Sequence, residues 1–144
     1  MDFTLTEDQR AIAEMAQGLF QDFCTDERMR EFDQSGATIM QDLWQTCIET
    51  GLHSLYIPEA FDGSGLGMTE LMLVLEAQGQ GLGLVPLWRH QLAAAALATF
   101  AGEQHGELLA GAATAETLLT FGGGTNEIQR ELIAQFGLGM PRGR

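Results

Sequence analysis

Apolar residues recur at helical spacing along this chain, and this pattern limits the possible folds more than any other feature. Thr6 and Gln9 fit a capping box at a helix start. Apolar residues then follow every three or four positions: Ile12, Met15, Ala16, Leu19, Phe20 and Phe23. Nowhere do apolar and polar residues alternate over several consecutive strands joined by hairpin turns. The sequence therefore predicts an all-α protein.

Residues 39–48 repeat the helical spacing and predict a second amphipathic helix. Trp44 lies at its centre and is large enough to anchor a core, and Gly51 ends the helix. Before it, residues 25–36 are polar and predict a short helix or turn followed by a loop. We expect solvent contact there and no function.

Two more helices are predicted beyond a turn-rich connection. Pro58 and three closely spaced glycines interrupt the periodicity before residue 68. Thr69 can cap a helix over residues 70–80, and Pro86 begins one that extends to Phe100. His53, in the connection, is predicted to be structural, because no partner acid stands at a recognisable spacing.

Residues 121–142 combine a glycine run with a predicted short helix. The three glycines at 122–124 carry no β-carbon, so a phosphate or another backbone can approach closely. Thr125 or Asn126 can cap the helix, and the free amides of its first turn attract anions. An apolar face and two stop residues follow: Ile128, Leu132, Ile133, Phe136, Gly137 and Pro141. The residues alone allow a ligand-binding loop or a purely structural one.

Two segments resemble one enzyme family. The segment GGGTNEIQRELIA, followed by LGMPR, resembles the C-terminal signature of acyl-CoA dehydrogenases, where the loop and helix start lie against FAD, commonly that of a neighbouring subunit. The segment IPEAFDGSGLGMTE, residues 57–70, resembles a loop and helix start in the N-terminal domain of that family. The two segments occur in the family's order.

The resemblance implies an orthogonal or up-and-down helical bundle like the family's N-terminal domain, plus one short C-terminal helix. Residues 1–115 correspond to that domain, and residues 116–144 correspond to a remnant of the C-terminal domain. The family's β-barrel domain and most of its C-terminal bundle have no counterpart. We therefore expect an internally deleted or degenerate acyl-CoA dehydrogenase.

The resemblance also implies binding residues for FAD and for an acyl-CoA substrate. A partial FAD-contacting edge corresponds to Gly123, Gly124, Thr125 and Glu127, although the barrel that would hold the isoalloxazine ring is absent. A helix start that helps to floor the acyl-chain pocket corresponds to Val85, Leu87, Trp88 and His90. For Trp88, a role in the core alone is the alternative.

The family's reaction requires a carboxylate base, and no residue of this chain is assigned that role. The base removes the α proton of the acyl-CoA thioester while the flavin takes the β hydride. Gly123 occupies one family position of that glutamate, and the earlier helix that carries the base in other members has no counterpart. The implied function is FAD-dependent α,β-desaturation of an acyl-CoA, with little turnover by the isolated chain.

Two other classes of function stay open from the sequence. One is a helical interaction module that docks on a complete dehydrogenase, and the other is a stand-alone helical domain without a ligand. Helices that pack on a barrel and bundle in the family would here expose apolar faces, which predicts a homo-oligomer.

Charge and cysteine content exclude several partners. The net charge of −13, from 20 acidic and seven basic residues, argues against nucleic acid and anionic membranes. Cys24 and Cys47 lie outside any metal-ligand spacing and are predicted to be buried free thiols, so no metal site is expected.

The N-terminus shows no signal or transit sequence, and no apolar run approaches the roughly 20 residues of a membrane span. We expect a cytoplasmic protein.

Overall fold

The computed structural model describes residues 4–101 and 104–116. All regular structure within these ranges is helical, with no strand, which confirms the predicted all-α class. The helices are α1 (Glu7–Phe23), α2 (Asp26–Ser35), α3 (Gln41–Glu49), α4 (Met68–Gly81), α5 (Leu87–Ala101) and α6 (Gly106–Ala113), with a 3-10 turn at Glu59–Phe61. The predicted C-terminal helix lies outside the described residues.

Helix α1 begins with the capping box that the sequence predicts. The Thr6 hydroxyl accepts from the Gln9 N–H at 3.1 Å, and the Gln9 side chain accepts from the Thr6 N–H at 3.0 Å. These bonds satisfy donors that a helix start otherwise leaves without partners. Ala16 and Phe20 are buried on the face that packs against α4.

Helix α4 begins earlier than predicted, and the prediction of Thr69 as its cap is wrong. Gly67 occupies the cap position, and Thr69 lies inside the first turn. Because glycine has no capping side chain, the Glu70 carboxylate reaches back and accepts from the Gly67 N–H at 2.9 Å. Glu70 also accepts from Gln9 Nε2 of α1 at 2.8 Å. The Gln9 hydrogen bond and these backbone contacts lower the pKa of Glu70.

The polar residues 25–36 form helix α2 and its stop. The Thr25 hydroxyl caps the helix, and Gly36 ends it in the left-handed conformation with φ of 68°. No residue of α2 is buried, in agreement with the expected solvent contact. An ion pair between Arg28 and Asp42 links α2 to α3.

Two clusters of buried apolar residues form the core of the described chain. The larger lies between α1, α3, α4 and the start of α5, and includes Phe20, Leu43, Val74 and Leu87. The smaller joins α5 and α6 around Ile57 through mostly small side chains: Ala93, Ala94, Leu109, Ala112 and Ala113. Small residues allow the two helices to approach closely at this contact.

The connection between α3 and α4 folds back on itself through backbone hydrogen bonds. The Gly65 N–H donates to the Ile57 carbonyl at 2.8 Å, and the Leu66 N–H donates to the Leu55 carbonyl at 2.8 Å. Gly65 has a positive φ of 62°, which favours glycine. The connection therefore directs Ile57 into the smaller cluster.

The two cysteines are free, as predicted, but they differ in burial. Cys47 is fully buried, and burial raises the pKa of its thiol to about 12. Cys24 is only half-buried at the end of α1, so the predicted burial of this thiol is wrong. In the described part of the chain, every helix is too short or too polar to cross a membrane.

Candidate functional site

The start of α5 borders an open cleft of about 350 Å³, which we call the Trp88 cleft. Its walls come from the turn before α3, the end of α4, the connection to α5 and the first turn of α5. The lining is mostly apolar, with one arginine at the rim: Thr38, Ile39, Gln78, Gly83, Leu84, Val85, Pro86, Trp88 and Arg89. Such a cleft can take an apolar group attached to a negatively charged one.

Two hydrogen bonds from one side chain and one from a backbone amide fix the connection that lines the Trp88 cleft. Gln78 Nε2 donates to the carbonyls of Gly83 and Val85, both at 2.8 Å. The Met40 N–H donates to the Leu84 carbonyl at 3.0 Å. Gln78 Oε1 is buried and has no hydrogen-bond partner. These hydrogen bonds hold the backbone of the connection in place, while the side-chain oxygen of Gln78 is left as an acceptor without a donor.

The four predicted substrate-binding residues do not share one surface. Val85 and Trp88 line the cleft, and Trp88 is 42% exposed. Leu87 and His90 are fully buried in the domain. Each residue of a helix is rotated by about 100° from the one before, so Trp88 faces away from Leu87 and His90. A substrate-binding role for any of the four stays a prediction.

Two buried histidines hold the end of α6. His53 Nε2 donates to the Ala113 carbonyl at 2.7 Å, and His90 Nε2 donates to the Ala112 carbonyl at 3.0 Å. Their rings are stacked with centroids 6.1 Å apart, and Trp44 meets both edge-on. Burial lowers the pKa of each imidazole. Both histidines therefore act as neutral donors to backbone, which fits the structural role expected of His53.

A second cleft, of about 430 Å³, lies between α5 and the connection after α3, and we call it the Tyr56 cleft. Glu59 lines it, and no cationic side chain does. Behind it, the fully buried Gln91 accepts from the Tyr56 N–H at 2.9 Å and donates to the Leu52 carbonyl at 2.8 Å. The sequence reading missed Gln91, although a lone amide in an apolar helix was a signal of such a role.

The described residues offer no metal site. No group of three or more histidine, cysteine, aspartate or glutamate side chains within residues 4–101 and 104–116 is arranged to hold a metal ion.

The fold agrees with what comparison to known proteins finds. Residues 6–116 match the family model described as acyl-CoA dehydrogenase, N-terminal domain. The chain belongs to the acyl-CoA dehydrogenase family. This confirms the resemblance found in the sequence.

Three relatives show how much of an acyl-CoA dehydrogenase this chain represents. Acyl-CoA dehydrogenase FadE27 from Mycobacterium tuberculosis strain H37Rv is 38% identical over 101 residues, 69% of this chain and 27% of the relative. A chain of the ChsE4-ChsE5 complex from Mycobacterium tuberculosis is 31% identical with a TM-score of 0.77, covering 83% of this chain and 34% of that one. A chain of a Tcur3481-Tcur3483 steroid ACAD variant is 34% identical with a TM-score of 0.74, covering 84% of this chain and 35% of that one. The chain thus spans about a third or less of these relatives.

The described glycine segment of this acyl-CoA dehydrogenase chain does not fit the phosphates of a flavin cofactor. The N–H groups of Gly63 and Gly65 donate to backbone carbonyls at 3.2 and 2.8 Å, and that of Gly67 donates to Glu70. Every amide from residue 63 to residue 67 has a partner, and Glu70 adds negative charge. The predicted FAD contacts lie outside the described residues: Gly123, Gly124, Thr125 and Glu127.

Proposed function

We propose that this chain supplies the acyl-CoA-binding helical domain of an acyl-CoA dehydrogenase, and that the acyl group enters the Trp88 cleft. The observation that carries the proposal is the cleft itself, whose volume of about 350 Å³ lies within the range of small-molecule sites. Leu84 and Trp88 expose 47% and 42% of their surface there, so apolar area is available to a ligand.

The charges around the two clefts favour the Trp88 cleft over the larger Tyr56 cleft. Coenzyme A carries several phosphate charges, and Arg89 stands at the rim of the Trp88 cleft. The Tyr56 cleft presents Glu59 instead, which would repel those phosphates. An acyl thioester combines an apolar chain with a polyanionic head, and the Trp88 cleft offers a complement to both.

We assign the desaturation itself to an assembly that includes a flavin-bearing subunit. In the family's chemistry FAD accepts the β hydride of the acyl group. The predicted FAD contacts lie outside the described residues, and no catalytic base is assigned in this chain. The two solved relatives come from assemblies named for two proteins each, which supports a shared enzyme. A cytoplasmic location stays part of the proposal.

Calorimetric titration of the purified chain with octanoyl-CoA and with free coenzyme A tests the proposal. Octanoyl-CoA should bind more tightly than coenzyme A, because only it places apolar area in the cleft. Trp88→Ala should weaken octanoyl-CoA binding at least about tenfold, equivalent to about 1.4 kcal/mol. Met72→Ala, at a residue that is 55% exposed but outside the cleft, is the matched control and should change nothing. Equal binding of both ligands, or equal effects of both variants, would contradict the proposal.

A second candidate function is a non-catalytic module that associates with dehydrogenase chains. Three methionines on the paired helices α1 and α4 favour it: Met15, Met68 and Met72 are 42%, 44% and 55% exposed. Flexible thioether side chains suit adaptable protein interfaces. Association with a second copy would give the homo-oligomer expected from the sequence. Light scattering tests this candidate, first on the pure chain alone and then on the chain mixed with a full-length family subunit. The candidate is ruled out if this chain stays monomeric in both samples.

A further inference from the structure

The Tyr56 cleft has no part in the proposed function, although its volume of about 430 Å³ also lies within the range of small-molecule sites. Two walls of different character form it. The connection after α3 supplies Glu59 and Gly65, and one face of α5 supplies small residues at intervals of three and four: Ala95, Ala98 and Thr99. An acidic residue therefore stands beside an uncharged helix face.

Backbone and side-chain hydrogen bonds hold both walls of the Tyr56 cleft. The buried Gln91 of α5 accepts from the Tyr56 N–H at 2.9 Å and donates to the Leu52 carbonyl at 2.8 Å, which ties the helix to the connection. The Leu66 N–H donates to the Leu55 carbonyl at 2.8 Å. Because the walls are already ordered, a ligand loses little binding free energy to their fixation.

Gly65 fixes the position of the Glu59 side chain in the cleft. A β-carbon at Gly65 would lie 2.8 Å from Cγ of Glu59 and 3.5 Å from its carboxyl carbon, Cδ. The stem of Glu59 thus lies against the bare backbone of another lining residue. Within the residues that the structure describes, Glu59 has no cationic partner. The cleft therefore offers a carboxylate that is not neutralised by this chain's described residues.

The charge distribution around the Tyr56 cleft favours a cation. Residues 90–101 of the α5 wall contain no aspartate, glutamate, lysine or arginine, so the helix adds no opposing charge. The whole chain has a net charge of −13. A cleft that carries charge of one sign between apolar walls concentrates the electric field and attracts ions of the opposite sign.

The lining of the cleft narrows the class of cation. A single carboxylate is too few ligands for a calcium ion, and no group of three metal-ligating side chains occurs among the described residues. The apolar lining residues favour an alkyl stem: Pro58, Leu66, Ala95 and Ala98. A guanidinium suits this setting better than an ammonium, because it is less strongly hydrated and donates two parallel hydrogen bonds to a carboxylate.

We propose that the Tyr56 cleft binds an alkylguanidinium group, with the cation on Glu59 and the alkyl stem along Ala95 and Ala98 of α5. Small alkylguanidines and the arginine side chains of other proteins share this chemistry. The site leaves the Trp88 cleft open for the acyl group, so it is independent of the proposed function.

Tyr56 is the only tyrosine of the chain, which makes binding in this cleft measurable by itself. Incorporation of meta-fluorotyrosine gives the full chain one fluorine NMR signal. The probe is n-butylguanidinium, and n-butylurea is the matched control because it has nearly the same shape without the charge. Butylguanidinium should shift the signal in a saturable manner, and butylurea should bind about fivefold more weakly, the upper end for an exposed ion pair. Unsubstituted guanidinium should also bind more weakly, because it buries no alkyl surface.

Three variants separate the cleft from the general charge of the chain. Glu59→Gln keeps the shape of the side chain and should weaken butylguanidinium binding about fivefold, to the level of butylurea. Glu14→Gln removes the same charge at an exposed residue of α1 that lines neither cleft, and it should leave the affinity unchanged. Thr99→Leu narrows the cleft at an exposed position of α5 and should weaken butylguanidinium and butylurea alike.

The source of the cation is identified with N-acetylarginine methylamide, which carries the same group on a peptide backbone. Tighter binding than that of butylguanidinium assigns the cleft to a protein arginine, and weaker binding assigns it to a free alkylguanidine. Both results support the proposal. Equal affinities for butylguanidinium and butylurea, or equal effects of Glu59→Gln and Glu14→Gln, would overturn it. No sample contains octanoyl-CoA, so these outcomes leave the proposed function untouched.

Discussion

Gly63 lies where the connection after Pro58 passes over Ile57. A β-carbon at this glycine would come within 2.5 Å of the carbonyl carbon and the β-carbon of Ile57, and closer still to the carbonyl oxygen. Because Ile57 is fully buried, its backbone cannot move without disturbing the smaller core cluster. Close packing against Ile57 therefore requires a glycine at position 63.

Gly63→Ala should lower the free energy of unfolding by about 3 kcal/mol, the upper end of typical overpacking costs. Gly18→Ala is the matched control, since a β-carbon at Gly18 inside α1 meets nothing within 4 Å. The control should raise stability by about 0.5 to 1 kcal/mol, because alanine favours the helix. Urea unfolding of both variants gives the two values, and a similar small change for both would contradict the described turn.

The buried histidines make stability depend on pH. Burial lowers the pKa of His53 and His90 below the ordinary value of 6.5. The unfolded chain takes up protons as the pH falls through 6.5, while the native histidines stay neutral. Their contribution to stability is therefore complete above pH 6.5 and is lost as the pH falls below it.

Urea unfolding at pH 7.5 and 5.5 should show this loss, at most about 1.4 kcal/mol per pH unit for each histidine. The double variant His53→Gln with His90→Gln keeps amide donors near the carbonyls of Ala112 and Ala113 but cannot titrate. Its stability should change less between the two pH values. If the stability of the double variant changed between pH 7.5 and 5.5 as much as that of the parent chain, the pH dependence would come from other groups.

At the scale of elements, the starts of α1 and α4 are joined by one hydrogen-bonded network. Gln9 completes the α1 capping box and donates to Glu70, which in turn caps α4 at Gly67. Two helix starts thus depend on one side-chain contact. A change at either residue should affect both helices.

A double-mutant cycle with Gln9→Ala and Glu70→Ala should give a coupling energy of about 0.5 to 1.5 kcal/mol in urea unfolding. The control cycle uses Gln45 and Glu49, which form an exposed hydrogen bond of 3.2 Å within α3. That coupling should be only about 0.2 to 0.5 kcal/mol. Additive effects of Gln9→Ala and Glu70→Ala would show that the network does not join the helices.

Local patterns were enough to predict the helices but not all of their ends. The spacing from Ile12 to Phe23 and the cap at Thr6 appear in the structure as predicted. Thr69 was a wrong cap, because Gly67 occupies the cap position and the Glu70 carboxylate three residues later bonds to its N–H. The Gln9 side chain that holds Glu70 lies 61 residues away in the sequence, and a contact at that distance leaves no local pattern.

At the scale of the whole molecule, the family was predictable and the shape of the site was only partly so. The glycine motif and the C-terminal signature led to the acyl-CoA dehydrogenase family, which the match over residues 6–116 confirms. A resemblance assigns neighbouring residues such as Leu87 and Trp88 to one pocket, whereas the rotation of α5 buries the first and exposes the second. The partners of Gln91, Tyr56 and Leu52, lie 35 and 39 residues away and could not be read from the local sequence.

Hydrogen–deuterium exchange of the full chain, with and without octanoyl-CoA, tests the central claim most directly. The claim is that this chain is an acyl-CoA-binding helical domain whose acyl site is the Trp88 cleft. Octanoyl-CoA should slow exchange at the backbone amides of residues 83–92 more than free coenzyme A does, because only octanoyl-CoA places apolar area in the cleft. Protection confined to the Tyr56 cleft, or no difference between the two ligands, would contradict the account.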